Sequence, residues 1–456
     1  MRQFQLFAVV ALTACGLPQS GEVSKNSSND SLIGLTVAAQ GLVGGVARAP
    51  QRSNADLAQD FLNLEFKLES GRNLATLTRF EGPIKVVMTG DVPASAQGDL
   101  ARLLTRLRRE AGLDISQGNG LENASVVVEF VARAEMHRVV PNAACFVVPQ
   151  VQTFASYKRA RSSAQTDWAQ VRNRKRAAVF IPSDTSAQEV RDCLHEELAQ
   201  ALGPLNDLYH LPDSVFNDDN FNTVLTGFDM MILRLHYAPE LTNGSSKAEV
   251  AAILPQLMAR VNPQGQGPMT PVKSIAPQRW VTAVETALGA RATAAVRIDA
   301  ANQMIDIAQS SGWTDIRSAF GYYARGRANV ARDPAQAVQD FELSRRIYQS
   351  LQDTEIQVAH VDMQLAAVAL ASGQPARAIA LADQATPAIL HSENAALLAT
   401  VMLIKAQALE ASGHDAAARA LRLDSLGLAR YGFGSDQRVR ARMNEISALG
   451  ASGKRR

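Results

Sequence analysis

Beyond residue 55 the apolar positions keep two periods in turn. In `DFLNLEFKLE`, Leu62, Leu64, Phe66 and Leu68 fall on one side of an extended chain, which predicts a half-buried strand. `PIKVVMTG` (83–90) is a second short β-rich run, closed by glycine. `SAQGDLARLLTRLRREAGL` changes period, with Leu100, Leu103, Leu104 and Leu107 on one helical face. `ASVVVEFV` (124–131) and `RAAVFIPS` (176–183) read as valine-rich and alanine-rich strands. Ser186 or Thr185 then caps a helix through `AQEVRDCLHEELAQALG`, stopped by Gly203 and Pro204. The order strand, strand, helix, strand, strand, helix predicts an α/β domain over 56–274, with helices packed on a twisted sheet.

Past about residue 280 the texture is alanine-rich helix. `ARDPAQAV` (331–338), `SGQPARAI` (372–379) and `SGHDAAAR` (412–419) align at spacings of about 40 residues. Each is a turn followed by a small-residue helix, and each follows another helix such as `AHVDMQLAAVALA` or `TVMLIKAQALEA`. Small residues let paired helices approach closely, so 280–450 reads as stacked helical hairpins; a plain bundle is the alternative. The repeats resemble lengthened tetratricopeptide units, whose concave surfaces imply a protein partner.

The first 55 residues carry no such periodicity. `MRQFQLFAVVALTAC` has an early arginine and an apolar run too short to span a bilayer. It ends on Leu12-Thr13-Ala14-Cys15, which resembles a bacterial lipobox. The resemblance implies a leader over 1–15, lipidation of Cys15 and anchoring to a membrane with the chain in the periplasm. Gly16 implies the outer membrane. A plain secretory leader with a chance cysteine is the alternative. Residues 16–55 read as a tether: a Ser- and Asn-rich stretch, then apolar but glycine-interrupted chain. A second membrane segment there is the weaker reading.

Composition narrows the choices further. Of three cysteines, Cys145 and Cys193 remain beyond the leader, and in an oxidising compartment such a pair forms a disulfide; two buried thiols are the alternative. Forty-six basic residues against 44 acidic ones leave no excess for phosphate contacts, which argues against nucleic-acid binding. Seven basic residues between Lys158 and Arg176, around Trp168, are either a solvated loop or a surface for anionic lipid or polymer.

The candidate chemistry lies in `CLHEELAQALGPLND` (193–207). With Gly203 as anchor, Glu196, Gln200 and Asn206 fall where a zinc hydrolase of the metzincin class carries its three ligands, and Glu197 falls on its general base. Asp207 follows, as in the matrixin-like branch. Downstream, `PDSVFND` stands at the methionine turn with Phe216 in the methionine's place, and `LTGFDMMILRLHY` resembles the closing helix, with Asp229 near its start. Residues 56–245 as a whole resemble a bacterial envelope family catalogued as domain of unknown function 2927. No aligned ligand position is histidine, and neutral amides are poor zinc donors.

Several readings therefore stand together. The leading one is a lipid-anchored, non-catalytic binding or assembly factor whose zinc-hydrolase-like domain takes no cofactor. Its Glu196, Glu197, Gln200 and Asn206 would form a buried hydrogen-bond network. The alternative is a metal-dependent peptidase or peptidoglycan hydrolase with Glu197 as base and an atypical zinc site from Glu196, His210 and Asp207 or Asp218. A calcium site around Asn217, Asp218, Asp219 and Asp207 is a further possibility, as is metal-free acid–base work on a glycan.

Overall fold

A computed structural model describes residues 48–453 except 142, 268–273 and 290. The expected leader, the expected lipidation position Cys15 and most of the expected tether lie outside the described residues. The described chain divides near residue 272 into two compact units. No helix among the described residues is long and apolar enough to cross a membrane.

The first unit opens with a helix, α1 (Asn54–Glu65), where the alternation of Leu62, Leu64, Phe66 and Leu68 predicted a strand. The longer window explains the difference. Leu57, Phe61 and Leu64 recur at helical spacing and are fully buried, and Ser53 caps the first turn by accepting from the Asp56 amide. Only Phe66, one residue past the helix, continues the buried row. The packed chain also starts inside the expected tether: Pro50 is buried, and Arg52 pairs with Asp213 at 2.8 Å.

The sheet follows the expected runs. Its strands are β1 (Ile84–Gly90), β2 (Ile115–Gln117), β3 (Val126–Val131), β4 (Phe146–Pro149) and β5 (Ala177–Pro182), in the order β2-β1-β3-β5-β4. All neighbours run parallel except the edge strand β4, which is antiparallel to β5. Parallel strands need crossovers. Those around the core are α2 (Ala96–Glu110) after β1, and the short helices α3 (Arg133–His137) and α4 (Phe154–Ala160) flanking β4. Then come α5 (Ala187–Leu202), α6 (Gly227–His236) and α7 (Lys247–Val261). Val86, Val126, Val128, Val179 and Ile181 face the main core with Leu100, Leu104, Leu194 and Leu198 from α2 and α5. On the opposite face Phe180 packs with Phe154 and Met136. β2 and β4 are too short to announce themselves by alternation.

Cys145, just before β4, and Cys193, on α5, are joined by a disulfide. It ties the edge of the sheet to the helix carrying Glu196 and Glu197. Closing a loop of 48 residues restricts the unfolded chain. The double substitution Cys145→Ala/Cys193→Ala is expected to cost about 3 kcal/mol in urea unfolding without reductant. Reductant should lower the parent protein to the same midpoint.

The second unit is all helical among its described residues, with nine helices: α8 (Gln278–Leu288), α9 (Ala294–Ser310), α10 (Arg317–Asn329), α11 (Pro334–Gln349), α12 (Glu355–Ala371), α13 (Pro375–His391), α14 (Ala395–Ala411), α15 (Asp415–Phe433) and α16 (Asp436–Gly453). The aligned turns do the expected work. Gly373 and Gly413 take positive φ after α12 and α14, and the next amides reach back to the Ala369 and Leu409 carbonyls. Pro334 and Pro375 then open the following helices, where a missing amide hydrogen costs nothing. α12 and α14 are buried on nearly every side, and α16 packs against both. A side chain at Gly432 would run into the Ala396 backbone, so the α14–α15 approach depends on small residues.

Candidate functional site

α5 is built to hold its C-terminal end still. Ser186 caps its start by accepting from the Glu189 amide. At its end the carbonyls that no helical amide can reach are met by two side chains. Arg174 donates to the carbonyls of Gln200 (2.9 Å), Ala201 (2.7 Å) and Gly203 (3.0 Å), and the Tyr237 hydroxyl donates to that of Leu202 at 2.8 Å. The Arg174 guanidinium, buried and 4.7 Å from the centre of the Trp168 ring, is pulled below its usual pKa by burial. So within the basic stretch 158–176 Arg174 is an internal helix cap, not part of a solvated surface. Gly203 lets the chain pass close to His236: a Cβ there would stand 3.2 Å from the ring, a tight contact.

The polar residues singled out by sequence separate into two groups. The histidines face away from the others. His195 accepts from the Leu225 amide at Nδ1 (3.0 Å), and burial, with Arg106 and Arg191, holds it neutral well below the usual imidazole range. His210 pairs with Asp60 at 2.7 Å, and His236 lies 2.9 Å from Glu65, both fully inside. Asn206 spends its amide on the Asn63 carbonyl at 2.9 Å. The segment after it is held by Asp229, which receives Ser214 (2.6 Å), the Val215 amide (3.2 Å) and the Thr226 amide (2.8 Å). Phe216 is fully buried in that turn. Asn217 and Asp219 bond to each other, and Asp219 takes the Phe221 amide, a turn closed on itself.

The carboxyls, in contrast, come together. Glu196, Glu197 and Asp207 meet Glu69, from the chain just after α1, and Asp218. Glu69 is hydrogen-bonded to Asp207, and Gln200 Nε2 stands 3.5 Å from Glu69 Oε1. Tyr209 donates to the exposed Asp218 at 3.2 Å. Burial, then Asp218, Glu69 and Asp192, push Glu196 up to about 8. Glu197 and Asp207 are raised well above the carboxylate range, by burial first and by neighbouring acids second. Asp192 is pushed up to about 6 by burial. Glu197, only 5% exposed, keeps its Oε2 without a hydrogen-bond partner among the described residues. Sequence reasoning missed both Glu69 and Asp192. Glu69 carries no local signal, lying 131 residues from its partner Gln200, whereas Asp192 stands one helical turn before Glu196 on α5 and could have been found by that spacing.

This donor set does not fit zinc. His195 is committed to a backbone amide and His210 to a carboxylate, His236 lies beside Glu65, and Asn206 is committed to a carbonyl. Among the described residues no three His, Cys, Asp or Glu groups are arranged to hold a metal ion. His210, the one imidazole in the alternative metal set, is held by Asp60, while the other three members, Glu196, Asp207 and Asp218, share the acid group.

The raised carboxyls make stability depend on pH. Between the ordinary glutamate value of 4.5 and about 8 the folded chain holds a proton on Glu196 that the unfolded chain releases. Stability therefore falls as pH rises through that window. His195, held neutral, acts oppositely below about 6.5, so the upper part isolates the acids. From pH 6.5 to 8.5, with chelator present, stability is expected to drop by about 1–2 kcal/mol after allowing for the partial exposure of Glu196. Glu196→Gln should reduce the slope, leaving the part that Glu197 and Asp207 contribute. A flat profile for the parent protein would contradict the raised carboxyls.

Residues 54–256, a little under half of the chain, match the family model described as protein of unknown function (DUF2927). A domain of unknown function is thus followed by a helical-repeat region. Neither the curated proteins nor the solved structures contain a match to this chain.

Proposed function

We propose that this chain is a lipid-anchored binding or assembly factor of the cell envelope, held by Cys15 with its folded units in the periplasm, at the outer membrane. Its first unit would keep the helix–turn scaffold of a metzincin-like hydrolase without the metal chemistry, and its helical repeats would supply the surface for a protein partner. One observation carries the reading: of the histidines near the aligned ligand positions, His195 accepts from a backbone amide, His210 is bonded to Asp60, and His236 Nδ1 lies 2.9 Å from the Glu65 carboxylate. The Cys145–Cys193 bridge supports an oxidising compartment.

A second reading has one observation in its favour. Glu197 stands at the position aligned with a general base and is buried with an unpartnered oxygen. That arrangement suits a metal-dependent peptidase or peptidoglycan hydrolase. Metal content decides between the two. Protein purified without chelator is expected to carry only traces of zinc by mass spectrometry and to cleave neither peptides nor peptidoglycan. Stoichiometric zinc, lost on Glu196→Ala, would overturn the binding-factor reading.

A further inference from the structure

The acid group has a graded depth. Glu69 and Asp218 are exposed, Glu196 and Asp207 are half-buried, and Glu197 is buried. Among the described residues Glu69, Glu196, Glu197 and Asp207 make no ion pair with a basic side chain, although other buried acids of this unit, such as Asp60 and Glu65, have cationic or imidazole partners. The innermost, Glu197, is within reach of the charges of Glu196 and Glu69 and leaves one oxygen unpaired. An unpartnered carboxyl oxygen in a protein interior is unfavourable, because it gives up its water without gaining a bond. A bound cation would recover that cost.

A calcium ion draws its oxygens in to about 2.3–2.6 Å, so they crowd one another. No three acids among the described residues are placed that way. An ammonium or guanidinium bonds carboxylates through N–H groups at about 2.7–2.9 Å, and the fork of a guanidinium reaches oxygens set well apart. Burial deepens from exposed Glu69 and Asp218 to buried Glu197, a gradient that matches a side chain with an apolar stem and a charged tip.

We propose that Glu69, Glu196, Glu197, Asp207 and Asp218 form a receptor for a lysine or arginine side chain presented by a partner polypeptide. This gives the α/β unit a recognition role of its own, in addition to the surface proposed for the helical repeats.

The test is calorimetric titration of the full chain at neutral pH with an end-blocked peptide carrying one lysine and one arginine. A matched peptide with acetyl-lysine and citrulline, and calcium chloride alone, complete the set. The charged peptide should bind, the neutral one about tenfold or more weaker, and calcium not at all. Glu69→Gln and Glu197→Gln should each weaken the charged peptide by about tenfold, with thermal melts showing both variants folded. No binding, binding unaffected by both substitutions, or stoichiometric calcium uptake would each overturn the proposal. Zinc retention or hydrolysis would overturn the binding-factor reading instead, leaving this titration to stand on its own result.

Discussion

Replacing Arg174 with methionine is expected to destabilise the α/β unit by about 4–5 kcal/mol, lowering its thermal midpoint by about 10–15 °C. Methionine matches the stem and keeps the contact with Trp168, so the loss isolates the guanidinium. Three carbonyls at the end of α5, those of Gln200, Ala201 and Gly203, lose their donor in a place no water reaches easily. Each bond is charge-assisted and sits at the negative end of a helix of 16 residues, where a cation is favoured. Against this stands the cost of burying the guanidinium, which draws its pKa down. The cost is already met in the folded protein, so removing the side chain recovers only part of it. Lysine in place of arginine should rescue little, because one ammonium cannot reach all three carbonyls. Thermal melts of the three proteins would measure the difference. A loss below about 1 kcal/mol would mean that solvent reaches the helix end and the cap is superficial.

Arg174 also marks the boundary of what the sequence could tell. The stop of α5 was readable from Gly203 and Pro204, but not the partner of its carbonyls, 26 residues upstream within an apparently solvated basic run. Periodicity found β1, β3, β5, α2, α5 and the repeat hairpins because each shows its buried face within a few residues. It misread 60–69 because four alternating residues outvoted Leu57, which lies outside that window. The site divides similarly. Glu196, Glu197, Gln200 and Asn206 were named from their spacing to Gly203, a local quantity. Their company was not: whether Glu196 faces a histidine or Glu69 depends on packing between segments more than 100 residues apart. The disulfide was readable because composition left just two candidates beyond the expected leader. Nothing comparable announced that His210 and His236 would both be claimed by acids of α1 and its end, Asp60 and Glu65.

Asp229→Ala is expected to cost about 4–5 kcal/mol, comparable to the loss of Arg174 but at the other end of the site. The carboxylate is fully buried and takes bonds from the Ser214 hydroxyl, the Val215 amide and the Thr226 amide, with the Thr226 hydroxyl 3.0 Å away. Alanine leaves two backbone amides and a hydroxyl without acceptors in the interior, where the alternative to a bond is a desolvated donor. It also removes one half of the capping box on α6, worth about 1 kcal/mol by itself. Burial raises the Asp229 carboxyl above its usual range despite these donors, so the charge is not held cheaply. Asparagine separates the two contributions. It keeps shape and one acceptor oxygen but turns an NH2 towards donors, and should recover no more than about half of the loss. The consequence reaches the acids, because the same turn carries Phe216 and leads into Asp218. If the turn loosens before the unit unfolds, amide hydrogen exchange at Val215 and Phe216 should rise in Asp229→Asn at temperatures where the sheet remains protected. Exchange that rises only with global unfolding would show the turn to be held by Phe216 burial alone, with Asp229 acting solely on α6.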